Sequence, residues 1–276
     1  MSNYTGELEL IRELVRGSAS IAWQLFMGND LKVYTKEDGS GVTNIDLAVN
    51  EYLTSAAAAM GFRLRSEEGG NAAYGENWVV DFDEIDGTSE LIKGFNRDPR
   101  ISHAAPAGAF WDNEPVAGAV VFALLGAPRI MYSASKDGGA YHEQGGYCTP
   151  LQIDSSPSRG IVLVTSKKDT PAAQATIGAL WDMGYTPVSE HAAVFKACAV
   201  ADNSLWDVRH GPGRDLPIVG SLSKGLRLHD AAATYRIITE AGGIATPLMC
   251  IPENQPWVTA NNPGVYNDLW ELAAAS

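Results

Sequence analysis

Trp78-Val79-Val80-Asp81-Phe82-Asp83-Glu84-Ile85-Asp86-Gly87-Thr88-Ser89 is the stretch that decides how this chain reads. An apolar run enters a knot of carboxylates and stops at Gly-Thr, as a buried strand does at a working sheet edge. Asp83 and Asp86 lie three apart at the expected strand end, a spacing that lets both face one point. Hard divalent cations favour clustered carboxylate oxygens, and magnesium takes one or two from a protein together with substrate phosphate. Gly87-Thr88-Ser89 then opens an expected helix through Glu90-Leu91-Ile92-Lys93, whose unpaired N–H groups attract an anion. The plain alternative is an Asx-type turn into a helix. Against it, three carboxylates at one strand end repel one another unless a cation or protons intervene.

Working outward, Ser66-Glu67-Glu68-Gly69-Gly70 follows the alternating stretch Phe62-Arg63-Leu64-Arg65, which reads as a strand. Glu67 is therefore a candidate third carboxylate, with a solvated acidic turn as its rival. Gly41-Val42-Thr43-Asn44-Ile45-Asp46 opens a helix expected from about Asn44 to Met60. There Thr43 or Asn44 would cap the helix and Asp46 would complement its dipole. His229-Asp230-Ala231-Ala232-Ala233 places Asp230 at another helix start, among small residues that let something pack close. Lys196 follows Glu190-His191-Ala192-Ala193 on an expected helix and could reach an anion, although a helix lysine is ordinarily solvated.

The whole chain has 276 residues, 45% hydrophobic and 19% charged, so a substantial core is available. Its net charge of −13, with no Lys/Arg-rich run, argues against a nucleic-acid polymer as partner. An acidic protein still binds an anionic ester when metal ions reverse the local field. No run of about 18 apolar residues is present to span a membrane. Cys148, Cys198 and Cys250 have no metal-like spacing and read as free thiols of a reducing compartment. With no signal-peptide pattern at the start, the expected address is the cytoplasm.

Helical spacing is expected over Glu7–Phe26, and antiparallel strands over Ala117–Leu125, Ile130–Ser135 and Gly139–His142. Past residue 150 the pattern alternates. Strands are expected at Ile161–Val164, Tyr185–Val188, Trp206–Val208 and Trp257–Thr259, with helices at Pro171–Met183, Ala192–Ala201, Asp230–Ala241 and Tyr266–Ala274. A soft boundary near Thr149–Pro157 divides residues 1–150 from 151–276. The first part carries most of the carboxylates; the second carries Asp230 and the substrate side.

In order along the chain, these pieces resemble the inositol monophosphatase superfamily of Mg²⁺-dependent, lithium-sensitive phosphatases. Val42-Thr43-x-x-Asp46 resembles its first motif and Ser66-Glu67-Glu68 its Glu-Glu motif. Asp83-Glu84-Ile85-Asp86-Gly87-Thr88 resembles its Asp-Pro-Ile/Leu-Asp-Gly-Thr core. His229-Asp230-Ala231-Ala232 with Glu240-Ala241-Gly242-Gly243 resembles its Trp-Asp-x-Ala…Ala-Gly-Gly motif. The resemblance implies a layered αβαβα sandwich, an α/β fold shared with fructose bisphosphatases. It also implies two or three Mg²⁺ ions held by Glu67, Asp83, Asp86, Asp230 and the Ile85 carbonyl. Asp46 and Thr88 would activate the attacking water, with Glu67 helping to place it, and backbone N–H groups of Gly87, Thr88 and Ser89 would hold the phosphate. His191, Lys196 and Arg209 are candidates for the rest of the substrate. A homodimer is a common state in that family.

Two residues depart from the resembled motifs: Glu84 stands in place of proline, and His229 in place of tryptophan. Within the superfamily, Gly87-Thr88-Ser89-Glu90-Leu91-Ile92-Lys93-Gly94 is most like the 3′(2′),5′-bisphosphate nucleotidases, although Ser89 stands where they carry lysine. The expected activity is thus Mg²⁺-dependent hydrolysis of a small phosphomonoester, first a bisphosphate nucleotide and second an inositol or sugar phosphate. From a different class, a metal-binding pseudoenzyme or regulatory module is the rival, motivated by Glu84 and His229. An acidic Ca²⁺-binding structural domain lacks the EF-hand spacing it would need.

Overall fold

The computed structural model describes residues 4–28, 30–37, 39–73, 78–95, 105–112, 114–122, 129–165, 170–210, 215–248 and 256–275. Helices α1 (Thr5–Met27) and α2 (Asn44–Met60) flank a hairpin of β1 (Val33–Thr35) and β2 (Gly41–Thr43). Then come β3 (Arg63–Ser66), β4 (Gly70–Ala73), β5 (Val79–Asp86) and helix α3 (Thr88–Phe95). Five more strands follow: β6 (Ala105–Asp112), β7 (Glu114–Phe122), β8 (Ile130–Ser135), β9 (Gly139–Gln144) and β10 (Tyr147–Leu151). Strands β3 to β10 form one eight-stranded sheet in the order β10-β9-β8-β7-β6-β5-β3-β4, in which β3 and β5 run parallel.

The remainder contains β11 (Ile161–Val164), α4 (Pro171–Asp182), β12 (Thr186–Ser189), α5 (Ala193–Ala201) and α6 (Asn203–His210). It closes with β13 (Ile218–Lys224), α7 (Leu228–Glu240), β14 (Ile244–Ala245), β15 (Pro256–Ala260) and α8 (Pro263–Ala274). Its five-stranded sheet has the order β12-β11-β13-β15-β14, with β11 parallel to both neighbours.

Three hydrophobic clusters of described residues bind the five layers of the αβαβα sandwich, one of them spanning both faces of the middle helical layer. Alternation in the strands decides which side chain enters which core. Val80, Phe82, Ala119 and Val121 point to α1 and α2, joining Ile11, Leu14, Val49 and Leu53. Ala107, Ala109, Val120 and Tyr132 point the other way, onto Phe195 of α5 and Ala231, Ala232 and Ile237 of α7. Beyond the second sheet, Val162, Val219 and Val258 bury Leu180 of α4 and Leu269 of α8. The middle layer is alanine-rich because α7 lies close to the large sheet. A Cβ on Gly118 would sit 2.8 Å from the Ala233 carbonyl oxygen, so β7 tolerates no side chain there.

Several expectations need correction. Trp206–Val208 is not a strand but the middle of α6, and Trp206 packs against Phe195 instead of pairing with a sheet. The cause is a cap: Asp202 Oδ1 accepts from Ser204 N (2.9 Å) and Ser204 Oγ (2.7 Å), which starts a helix where the side chains alternate too briefly to hold a strand. Strands β6 and β13 were not read from sequence. Trp78 is 37% exposed, and the buried strand begins after it. The end of the expected Ala117–Leu125 strand, from residue 123, lies outside the described residues, as does Cys250. Cys148 and Cys198 are free. Among the described residues, no helix is long and apolar enough to cross a membrane.

Candidate active site

Because Val80 and Phe82 face α1 and α2, Asp81 and Asp83 face the opposite, α7 side of β5. Between Asp83 and Asp86 the pairing with β6 shifts register. That irregularity is an Asx turn: Ile85 N donates to Asp83 Oδ1 at 3.0 Å. The bulge turns Asp86 toward the second half of the chain. There its two oxygens accept from Ala193 N (3.2 Å) and Val194 N (3.0 Å), the first turn of α5. Ala192, the residue at the cap position, has no side chain able to do this, so Asp86 caps α5 from across the molecule.

Asp46 is held three ways. Thr43 N and Thr43 Oγ1 donate to its Oδ2 at 2.8 and 2.5 Å, closing a capping box on α2, while Thr88 Oγ1 lies 3.1 Å from its Oδ1. Thr88 Oγ1 also donates to the Ile85 carbonyl at 2.9 Å. Asp46 therefore serves as helix cap and as partner of Thr88 at once. Gly87, between the carboxylates and α3, has φ +85°, a conformation that glycine adopts without strain. The N–H groups of Thr88 and Ser89 fall in the first turn of α3, where no intrahelical acceptor exists.

On the other side, Glu67 and Glu68 close the turn after β3, and Lys36 from the β1–β2 turn reaches both, at 2.9 and 2.6 Å. Burial works against the lysine's charge, but the two glutamates prevail and raise its pKa. Asp230 sits in the first turn of α7 with Oδ2 accepting from Arg227 N at 2.6 Å.

The electrostatics of this group are those of like charges confined together. Burial pushes the Asp83 carboxyl well above its ordinary range, and Glu67, Asp86, Asp230 and Glu84 push it further. Asp86 is raised by burial and then by Asp230, against the opposing pull of the α5 amides and Lys196. Burial also raises Asp230 and Asp46. The donors are all hard oxygens whose repulsion a hard divalent cation would relieve, so the residues fit magnesium. Among the described residues, however, no three His, Cys, Asp or Glu side chains stand close enough together to enclose an ion as they are. Asp86 is turned to α5 and Glu67 is held by Lys36.

Two buried ionisable groups complete the site. Glu84 is 1% exposed and neither of its oxygens has a hydrogen-bond partner. The neighbouring Ser66 hydroxyl is turned to Asn50 (3.0 Å) and receives Gly69 N (2.7 Å). Burial lifts the Glu84 pKa to about 8. Lys196 is the reverse of the solvated helix lysine that sequence favoured. It is fully buried, donates to Thr165 Oγ1, and has its pKa lowered to about 8 by burial, with Asp86 and Glu190 opposing that shift. Thr165 in turn lies 3.5 Å from Ser223 Oγ and lines a 230 Å³ cavity with Leu222, Lys224 and the first turns of α4. This cavity opens at the carboxyl ends of the parallel strands β11 and β13, where ligands of α/β sheets bind.

Of the residues singled out from sequence, Asp46, Glu67, Asp83, Ile85, Asp86, Gly87, Thr88, Lys196 and Asp230 are tied into this one region by hydrogen bonds, chain continuity or mutual charge. Ser89 and His191 are exposed, and of Arg209 only the backbone, in α6, is described. Sequence reading missed Lys36, Thr165 and Glu190, which carry no local signal because their partners are distant in the chain.

The sequence profile of the inositol monophosphatase family matches residues 7–275. The chain belongs to the inositol monophosphatase family. It is a phosphatase, a hydrolase of phosphoric monoesters. Among its relatives, the probable inositol 1-monophosphatase ImpA of Mycobacterium tuberculosis is 28% identical over 252 residues, covering 86% of this chain and 83% of that protein. The fold of this inositol monophosphatase family member matches SuhB of Bartonella henselae with a TM-score of 0.77 at 15% identity, over 98% of both chains. It matches an IMPase of Thermotoga maritima with a TM-score of 0.74 at 16% identity, again over 98% of both. A further structure of this fold, an IMPase/NADP phosphatase, was solved with Mg²⁺ and phosphate; its TM-score is 0.73 at 17% identity, over 97% of this chain and 95% of that one.

Proposed function

We propose that this phosphatase hydrolyses the monophosphate of a small cyclic polyol, an inositol or sugar phosphate, with Mg²⁺ held by Glu67, Asp83, Asp86, Asp230 and the Ile85 carbonyl. The observation that carries the reading is the mutual confinement of Asp83, Asp86 and Asp230 with Glu67 beside them, carboxylates that oppose one another's ionisation. Bound magnesium supplies positive charge that offsets the phosphoryl oxygens and makes water acidic enough to attack. The chain's own residues do the rest. Thr88 Oγ1, placed by Asp46 and the Ile85 carbonyl, accepts the proton of the attacking water as it passes its own to Asp46. Burial makes Asp46 a better base than an ordinary aspartate. The first N–H groups of α3 orient the phosphate oxygens. The leaving hydroxyl faces the C-terminal side, toward Lys196 and the cavity beside Thr165.

The bisphosphate-nucleotide alternative rests on the Gly87–Gly94 segment alone, whereas the relatives named inositol monophosphatases match across most of the chain. Phosphate release from myo-inositol 1-phosphate, hexose phosphates and adenosine 3′,5′-bisphosphate separates the two. The polyol esters should turn over fastest, only with Mg²⁺, and Li⁺ should inhibit. Preference for the nucleotide would reverse the substrate assignment, and no release from any ester would favour a regulatory module. A cytoplasmic homodimer, with residues 1–150 carrying most carboxylates and 151–276 the substrate side, completes the proposal; light scattering of the purified protein tests the dimer.

A further inference from the structure

The chain is acidic, with 33 Asp and Glu against 20 Lys and Arg, yet one cavity has the opposite character. The 230 Å³ space at the carboxyl ends of β11 and β13 is lined by Lys224 and, among the described residues, by no carboxylate. Its other polar lining is hydroxyl, from Thr165, Thr170 and Thr176, set in walls that include Val164 and Ile177. The first turn of α4 adds the positive end of a helix dipole at the rim, where Thr170 Oγ1 accepts from Ala173 N at 3.2 Å.

Thr165 is held so that it donates into this space. Its N–H is fixed on the Leu222 carbonyl at 3.0 Å, and its Oγ1 accepts from the Lys196 ammonium. The hydroxyl therefore keeps its own proton to give. Ser223 Oγ, at 3.5 Å, is at the outer limit of a hydrogen bond and satisfies that proton poorly. A positive charge behind a hydroxyl also polarises it as a donor. Lys196 itself is fully buried, and among the described residues Thr165 is the one hydrogen-bond acceptor that its three N–H groups meet. Burying an ammonium so lightly coordinated is costly. The packing of α5 does not call for it, since the helix is otherwise built of Ala, Val, Phe and Cys. The same helix joins the cavity to the carboxylates. Asp86 caps α5 at Ala193 N and Val194 N, and Lys196 stands one turn further on, its own N–H on the Ala192 carbonyl at 3.2 Å.

We propose that this cavity is an oxyanion subsite, and that the substrate is a sugar or polyol phosphate whose far end carries a second oxyanion, a carboxylate or a further phosphoryl group. Thr165 and Lys224 donate to that group. Lys196 is a positioning residue, which orients the Thr165 hydroxyl and places charge behind it. This rests on the phosphatase reading and narrows its substrate from esters charged only at the reacting phosphate to acidic ones.

The test follows phosphate release by the full-length protein with Mg²⁺ from two plain esters, myo-inositol 1-phosphate and glucose 1-phosphate, and two acidic ones, glucuronic acid 1-phosphate and glucose 1,6-bisphosphate. KM should be about tenfold lower or more for an acidic ester, the size expected of hydrogen bonds to a charged group. Preference for the glucuronic ester identifies a carboxylate, and preference for the bisphosphate a phosphoryl group. In Lys224→Gln, Thr165→Val and Lys196→Met the preference should collapse, through a rise in KM for the acidic ester that exceeds any fall in its kcat, the mark of a lost binding contact. Lys224 is exposed, so its variant decides the matter even where a substitution at Thr165 or Lys196 prevents folding. Equal or lower KM for the plain esters, or a preference that survives in Lys224→Gln, overturns the proposal and leaves the phosphatase reading standing. Release from none of the four esters overturns both.

Discussion

The two sheets bring unlike chemistry to one place. The large-sheet side supplies Asp46, Glu67, Asp83 and Asp86, a set of carboxylates in which Asp83 is raised by its neighbours. The five-stranded side answers with the amides of α5 and the buried ammonium of Lys196, and adds Asp230. Asp83 and Asp86 are near neighbours on one strand and equally buried, yet they differ in partners. Asp86 faces two amides and a cation across the seam, whereas Asp83 receives one amide from its own turn. The protein itself compensates Asp86 more fully than Asp83.

The sharpest way to break that comparison is to neutralise each in turn. Phosphate release by Asp83→Asn and Asp86→Asn should fall by on the order of 10³-fold or more, about 4 kcal/mol in the barrier. Their stabilities without metal should part. Asp83→Asn removes an uncompensated charge and should raise the melting temperature, by roughly 1–3 kcal/mol of stability. Asp86→Asn weakens the cap on α5 and should lower it. Two shifts in the same direction would erase the distinction drawn between them.

Glu84 sharpens the same point, being a buried carboxyl whose two oxygens lack a well-formed hydrogen bond. Its pKa is about 8 in the fold against an ordinary 4.5, so the stability it permits is complete below about pH 4.5 and lost as pH rises through 8. Glu84→Gln should therefore stabilise the metal-free protein by roughly 2–4 kcal/mol at pH 7. Urea unfolding between pH 5 and 8 should give a flatter profile for the variant; parallel profiles would contradict the burial argument. Smaller again is Lys196→Met, which preserves volume. Catalysis should drop about 10- to 100-fold, or 1–3 kcal/mol, and urea stability should fall as well, because the buried Asp86 loses the cation that faces it. Ser89→Ala, at an exposed position, should change stability by under about 0.5 kcal/mol.

What sequence reveals of this molecule follows from how local the signal is. The Asp83–Thr88 knot, the Thr43–Asp46 cap and the Asp230 helix start are short motifs whose geometry is set within a few residues, and each stands where its spacing indicates. The layered architecture is legible for the same reason, through α1, α2 and the alternating elements of the second half. Strand β6, with its Ala-Pro-Ala-Gly-Ala run, has little intrinsic preference for a strand; its small side chains are there so that α5 and α7 can approach. Lys36, Lys196 and Thr165 are silent in sequence because their meaning comes from partners in other elements. The capping of α5 by Asp86 is silent too, since the cap and the helix are brought together only by the fold.

The central claim is that Glu67, Asp83, Asp86 and Asp230 surround a divalent cation at which the phosphate ester is cleaved. A crystal grown with Mn²⁺ and inorganic phosphate, measured at a wavelength where manganese scatters anomalously, tests it directly. The account predicts an anomalous peak touching oxygens of Asp83, Asp86 and Asp230, with phosphate between it and the first turn of α3. No peak there, or one held by other residues, would contradict it.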